Sequence, residues 1–325
     1  MRAVLTLLSF LVALVAVRVL ISRFGRFALD VPNARSLHER PVPRTGGIAV
    51  LLGGSTAFAF GAAPLWVPAA LALALAAVSL ADDLHRLPTA ARLAAHLGAA
   101  GFLVWYMLSP MHPVEMAVLV IAVTWVTNLY NFMDGSDGLA GGMATIGFAA
   151  YALAAWLAGD AALTALCLAL SAASAAFLLH NLHPARIFLG DIGSIPLGFL
   201  AGALGLAGWR NDVWPLWFPV LVFGPFIGDA TVTLLRRLVR GEKVWKAHRE
   251  HYYQRMVMMG LGHRRTAWMA YAVMGVCAGA ALFGRNQAPW LQAIAFLGAS
   301  VFLGGLAVWV DLRWSRFARR SGQAA

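Results

Sequence analysis

Val114-Glu-Met-Ala-Val-Leu-Val-Ile-Ala-Val-Thr-Trp-Val-Thr-Asn128-Leu-Tyr-Asn131-Phe-Met-Asp134-Gly-Ser-Asp137-Gly-Leu139 opens as an apolar run and closes as a polar, glycine-broken motif. The apolar part is long enough to cross a hydrocarbon core, which takes roughly 20 such residues. Asn128, Asn131, Asp134 and Asp137 then recur every third residue. On a continuous helix each such step drifts by about 60°, so the four would not share a face. The glycines predict a break near Asp134, and a bent backbone there gathers the polar groups around one ligand. Two Asp-Gly turns are the plainer reading. Turn chemistry leaves the two asparagines unexplained, because unpaired amides at the end of an apolar span are costly.

The rest of the chain repeats the apolar theme. Of its 325 residues 61% are hydrophobic and 12% charged, with a mean hydropathy of +0.73. That excludes an ordinary cytosolic enzyme, a disordered tail and a disulfide scaffold, since soluble domains carry about twice that charged fraction. Cys167 and Cys277 lie inside apolar runs and read as small buried hydrophobes. Eleven candidate spans follow: 3–22, 46–62, 64–81, 92–109, 114–131, 139–158, 161–180, 194–209, 214–235, 266–284 and 289–310. The first has no small-residue cleavage site after it and reads as a retained helix. Prolines near 214–225 predict a kink in the ninth. The expected fold is therefore an all-α integral membrane protein, one polytopic domain over 1–325.

Lysine and arginine set the expected orientation. All 25 except Arg2, Arg18, Arg210 and Arg285 fall on alternate connections or at that same face. This predicts an odd number of crossings, the N-terminus outside and the C-terminus in the cytoplasm. The net charge of +11 is then a topology signal rather than a nucleic-acid signal, and no nucleic-acid partner is expected.

The inner connections carry the candidate chemistry. Asp82-Asp83 ends an apolar run, where two carboxylates repel each other and oppose the helix dipole; a hard cation relieves both, and a solvated helix end is the alternative. His180-Asn181-Leu-His183-Pro-Ala-Arg186-Ile-Phe-Leu-Gly190-Asp191-Ile-Gly-Ser194 offers Asp191 either as a helix N-cap or as a metal carboxylate in a bend open to phosphate, with Asn181 placed to bond a base or sugar. His248-Arg249-Glu-His251 lacks a zinc ligand set and fits a phosphate clamp, or a merely basic loop against lipid. The first inner loop runs from Asp30 through His38 and Arg40 to Pro41-Val-Pro-Arg44-Thr-Gly-Gly47; its basic groups suit an anionic substrate and its glycines a close backbone approach. Asp229, within the ninth span, is a functional candidate by its depth alone, with no role assigned.

Taken in order, these segments closely resemble the polyprenyl-phosphate N-acetylhexosamine-1-phosphate transferases, the MraY/WecA-like superfamily (glycosyltransferase family 4). Pro41 to Gly47 looks like the first-loop signature and Asp82-Asp83 like the aspartate pair. Residues 128–139 match Asn-x-x-Asn-x-x-Asp-Gly-x-Asp-Gly-Leu, and 188–194 match the Gly-Asp-x-Gly-Ser motif. The resemblance covers roughly 30–265.

The resemblance implies transfer of HexNAc-1-phosphate from a UDP-N-acetylhexosamine to polyprenyl (undecaprenyl) phosphate, releasing UMP. It implies dependence on Mg²⁺, with Mn²⁺ as the substitute ion. It also implies residence in the bacterial inner membrane, a cytoplasm-facing site and a homodimer as one assembly. Asp191 and Asp83 would face the metal. Asp82 and Asp83 would lie beside the reacting phosphates, one of them deprotonating the lipid phosphate or acting as nucleophile. Asp134 and Asp137 would help bind donor and metal. Asn128, Asn131, Asn181, Arg44, His248, Arg249 and His251 would contact substrate.

His248-Arg-Glu-His251 departs from the histidine runs of the peptidoglycan and teichoic-acid branches. This points to the WbpL-like branch that starts O-antigen or other surface polysaccharides, and leaves GlcNAc, GalNAc and 6-deoxy sugars open. An ion-coupled secondary transporter is the rival reading; it expects its polar residues near mid-membrane.

Overall fold

The computed structural model describes residues 1–25, 28–30, 37, 41–246 and 248–320; His38 and Arg40 lie outside them. The chain is almost entirely helical. Helix α1 (Arg2–Phe24) is followed by a short antiparallel ribbon of β1 (Leu29–Asp30) and β2 (Val42–Pro43). Then come α2 (Gly46–Ser55), α3 (Trp66–His85), α4 (Thr89–Leu108), α5 (Pro113–Phe132), α6 (Leu139–Ala158), α7 (Ala161–Asn181) and α8 (Asp191–Arg210). The remainder is α9 (Trp217–Val222), α10 (Gly224–Val239), α11 (Tyr252–Met256), α12 (Gly262–Gly284) and α13 (Pro289–Arg320).

Among the described residues nine segments are helical, long and apolar enough to cross a membrane, α11 to α12 counting as one. Two of the eleven expected spans differ in form. The second is the short α2 running into a 3₁₀ turn, Thr56–Phe60, and ending at Gly61 with φ +100°. The ninth is broken at Phe223 into α9 and α10. Pro225 stands in the first turn of α10; it has no N–H to give to the preceding turn, so α9 cannot run on through it.

Burial grades across the bundle. In an apolar 18-residue stretch of α6, α7 and α8 the shares of buried residues are 72%, 72% and 89%, against 11% in that of α13. The inner helices are rich in alanine and glycine, which lets backbones approach closely in lipid. Helix α1 shows the opposite design: Leu5, Ser9, Ala13 and Val17, each a helical turn apart, are its buried stripe, and the rest faces outward. Ser9 shares a hydrogen bond with Thr56 at 2.6 Å, closing the top of that seam. Tyr130, Phe148, Tyr151, Phe223 and Phe226 fill the centre in tilted and edge-on contacts.

Polar contacts separate to the two ends. At one end Asn211 donates to Asp160 (2.8 Å) and buried Arg285 donates to the carbonyls of Ala154 and Val213. At the other end the five motif segments meet.

Candidate active site

The site is built on helix ends. Helix α5 stops at Phe132, and Asp134 to Gly138 form the expected break before α6. Gly138 has φ +77°, a conformation that a side chain disfavours, and it turns the chain into α6. Three tyrosines brace the loop: Tyr253 Oη donates to Phe132 O (3.1 Å), Tyr271 Oη to Gly138 O (2.7 Å) and Tyr130 Oη to Ala140 O (2.7 Å).

A second strap lies alongside. Phe188 N donates to Pro43 O, Gly46 N to Phe188 O and Gly47 N to Leu189 O, all within 2.9 Å. Gly47 and Gly193 cross so tightly that a Cβ on Gly47 would lie 2.2 Å from Gly193 Cα. The close approach expected of Gly46-Gly47 is thus made to the backbone beside Asp191. It seats Arg44 next to Asp191 and delivers Asp191 as the first residue of α8.

A polar cavity of about 100 Å³ results, lined by Asn131, Asp134, Asp137, Asp191, Arg44 and His263 among others. Asp83 pairs with Arg44 at 2.9 Å, and Asp82 with Arg92 at 2.9 Å. The aspartate pair is therefore split: Asp83 is tied to a cavity residue and Asp82 to α4. Asp191 lies within the electrostatic reach of Asp83, Arg44, Arg92 and Asp82. Burial holds the Asp134 carboxyl well above the usual carboxylate range, the charge of Asp191 pushes the same way, and the Gly190 N–H opposes them.

The other expected residues take more specific places. Asn131 accepts from Ser194 Oγ (2.8 Å), joining the two motifs. Asn128 faces α4 instead, bonded to His96 Nδ1 (3.2 Å) and donating to Thr124 O. Asn181 is 4% exposed. It accepts from Gly138 N (3.0 Å) and donates to Ile187 O (2.9 Å), so its amide clips the two motifs together. Asp137 is buried and accepts from His183 Nδ1 (2.7 Å) and Ala185 N (3.2 Å). Both motif aspartates line the cavity, and Asp137 is the one also tied to His183 and Ala185.

His248 and His251 lie with ring centres 4.8 Å apart. His248 is half-buried, and burial, with His251 and Arg237 nearby, pushes its imidazole down to about 4. His251 turns inward to Asp229. Among the described residues no three His, Cys, Asp or Glu side chains converge as a preformed metal cage. Asp134 and Asp191 nonetheless share one cavity, an oxygen donor set of the kind a hard cation takes.

Three contributors escaped sequence reasoning. His96 holds Asn128. His183 and His263 stack at 5.4 Å around Asp137, and His263 also reaches Leu37 O at 3.0 Å. His263 is 126 residues from Asp137 in sequence; its local signal is a histidine at the end of a span.

The family model described as glycosyl transferase family 4 matches residues 65–208. A decaprenyl-phosphate N-acetylglucosaminephosphotransferase of Mycolicibacterium smegmatis is 30% identical, over 88% of this chain and 82% of its own length. A probable undecaprenyl-phosphate N-acetylglucosaminyl 1-phosphate transferase of Bacillus subtilis is 26% identical, over 93% and 91%. The undecaprenyl-phosphate alpha-N-acetylglucosaminyl 1-phosphate transferase of Escherichia coli is 26% identical, over 90% and 86%.

Proposed function

This chain belongs to the polyprenyl-phosphate N-acetylhexosamine-1-phosphate transferase superfamily, glycosyl transferase family 4, and from that premise we propose that it moves GlcNAc-1-phosphate from UDP-GlcNAc to undecaprenyl phosphate. An oxygen of the acceptor phosphate attacks the sugar-bearing phosphorus. The bond to the bridging oxygen breaks, and UMP leaves with that oxygen. The observation that carries the reading is the polar cavity in which Asp134 and Asp191 sit beside an Arg44–Asp83 pair at one end of a membrane bundle. The relatives' donor sugar favours GlcNAc over GalNAc and the 6-deoxy sugars.

The division of labour follows from partners. Arg44 meets the anionic diphosphate and orients Asp83, which takes the acceptor's phosphate proton or hydrogen-bonds it. Asp82, held away by Arg92, shapes the helix end. Asn131 and Asp134 face the donor, while Asn181 and Asp137 hold the walls. Phosphoryl transfer rests mostly on such positioning and on electrostatics. Mg²⁺ fits here because it is bound through one or two carboxylates plus substrate phosphates, so no third carboxylate is needed. Asp191 and Asp134 would hold it with Asp83 alongside, and it would offset the charge of the two phosphates. Mn²⁺, which shares the preference for oxygen ligands, is the expected substitute.

An apolar cavity of about 410 Å³ between α9, α10, α12 and α13 reaches Met133 and Tyr253, the back of the same loop. It supports entry of the acceptor's prenyl chain from the bilayer. The same reading places the protein in the inner membrane with eleven crossings and the site toward the cytoplasm, where UDP-sugars are made. Its product would open a surface polysaccharide such as O-antigen. The transporter alternative has little support, because the carboxylates gather at helix ends rather than mid-span.

The test is UMP release by the purified full chain. It should require UDP-GlcNAc, undecaprenyl phosphate and Mg²⁺ together, and a panel of UDP-sugars ranks the donors. Release without the acceptor lipid, or none with any UDP-HexNAc, would sink the proposal.

A further inference from the structure

Asp229 is the buried acid that the reaction just described does not use. It lies one turn into α10, directly after the Pro225 break, and is 9% exposed. Its Oδ1 accepts from Tyr252 N (2.9 Å), His251 Nδ1 (3.1 Å) and Thr233 Oγ1 (3.3 Å), and its Oδ2 from Tyr253 N (3.1 Å). Every partner is a donor, so a carboxylate suits the place and an amide does not. The His251 ring is held between Asp229 Oδ1 and the first turn of α11. His251 also caps α11 reciprocally with Gln254: its side chain accepts from Gln254 N, and its own backbone N donates to Gln254 Oε1 at 3.2 Å.

What this holds in place is a segment packed against the Asp134 loop. The His251 ring is stacked over Phe132 with centres 6.5 Å apart, and Phe132 ends the helix two residues before Asp134. Tyr253 reaches the same Phe132 through its carbonyl. Residues 248–253 are therefore referenced to the Asp134 loop on one side and to Asp229 on the other.

Resting on the transferase reading, we propose that Asp229 is a positioning residue for the donor. By fixing His251 and the backbone of Tyr252 and Tyr253, it holds His248 and Arg249 against the diphosphate of the UDP-sugar. The effect belongs to donor binding and not to the chemical step or to the lipid acceptor.

The experiment uses the full chain in detergent and measures UMP release, varying UDP-GlcNAc at saturating undecaprenyl phosphate and then the reverse. Asp229→Asn keeps the volume but sets an N–H₂ against a backbone N–H. The loss of one charged hydrogen bond should raise the donor KM roughly 10-fold or more, with kcat changed less than about threefold and the acceptor KM unmoved. Asp229→Glu keeps the acceptors on a longer stem, should fall between wild type and Asn, and carries the same readout if the Asn variant is not recovered folded. A lowered melting temperature with an unchanged donor KM in the recovered variants would show a merely structural acid and overturn the inference, as would an effect on kcat or on the acceptor KM alone. A wild-type chain that releases no UMP overturns the transferase reading and this inference with it. An active wild type whose donor KM neither substitution moves overturns this inference alone.

Discussion

The cradle around Asp134 and Asp191 and the clamp around residues 229–255 both hold acids, but they treat the charge in opposite ways. In the clamp each acid is matched. Glu250 lies between Arg237 and Arg240, and Asp311 of α13 between Arg236 and Arg255. Burial works to raise the Glu250 carboxyl, but the Arg240 hydrogen bond and the Arg237 charge overcome it and hold it below its usual range. In the cradle Asp134 is raised by burial and by another acid. The clamp is complete as folded, whereas the cradle carries an electrostatic deficit that cationic groups and ligand must offset. Perturbed carboxyls of that kind mark functional sites more often than scaffolds.

The largest expected effect tests the deficit itself. Asp191→Asn and Asp83→Asn should each lower UMP release by about 10²–10³-fold, the scale of removing one electrostatic contributor from a preorganised site. Asp134→Asn should be equally inactive yet melt higher than wild type at pH 8 in a chelator. The sign follows from linkage: a carboxyl whose folded value lies above its unfolded 3.8 costs stability once pH has risen through the folded value, and the amide removes that cost. If Asp134→Asn melts lower, the cradle is not the strained half of the molecule.

A steric prediction comes next. Gly47→Ala would drive a Cβ to 2.2 Å from Gly193 Cα. The neighbour is backbone, so the helices must part, at a cost of about 1–3 kcal/mol typical of overpacking. Arg44 and Asp191 would move with them. Activity should fall with stability here, unlike in Asp134→Asn.

Much of the cradle was legible in the sequence because its parts are local. The break at Asp134 follows from Asp-Gly pairs at the end of an apolar run, the strap at 44–47 from paired glycines, and the kink in span nine from its prolines. The shortened second span was not legible, because α2 and its 3₁₀ turn have the same apolar composition as a full crossing. The clamp was hardly legible at all. Asp229 meets residues 22 to 24 positions on, and Asp311 meets Arg255 across 56. Such partners are set by how α10, α11 and α13 pack, not by any local pattern. Asn181, expected to bond a base or sugar, is buried between two loops, a placement set by their packing and not by any local pattern.

The pH response of the clamp should be smaller and of opposite sign to that of the cradle. Glu250 has its folded value below 4.5, so its contribution is complete above 4.5 and is lost as pH falls through the lower folded value. Glu250→Gln should therefore melt below wild type at pH 7, and the gap should close on acidification. His248, held down to about 4 against 6.5, is disfavoured in the fold once protonated, so stability falls from pH 6.5 toward about 4. His248→Gln should flatten that part of the curve. An unchanged curve in both variants would mean that the clamp is not matched as described.

The smallest effect is expected at Asp311. Its pairs with Arg236 and Arg255 are partly open to solvent, with side-chain exposures of 28% for the acid and 46% for Arg236. Pairs of this kind contribute about 0–1 kcal/mol each, because water already screens them and ordering two long side chains costs entropy. Arg255 keeps its bond to Glu250 O (2.8 Å) and its place over the Tyr252 ring when the acid is removed. Asp311→Asn should thus lower the melting temperature by a degree or two and leave the donor KM within about twofold of wild type. A loss approaching that of Asp229→Asn would instead make α13 part of the clamp, with Asp311 and Asp229 holding the two ends of one short helix in register.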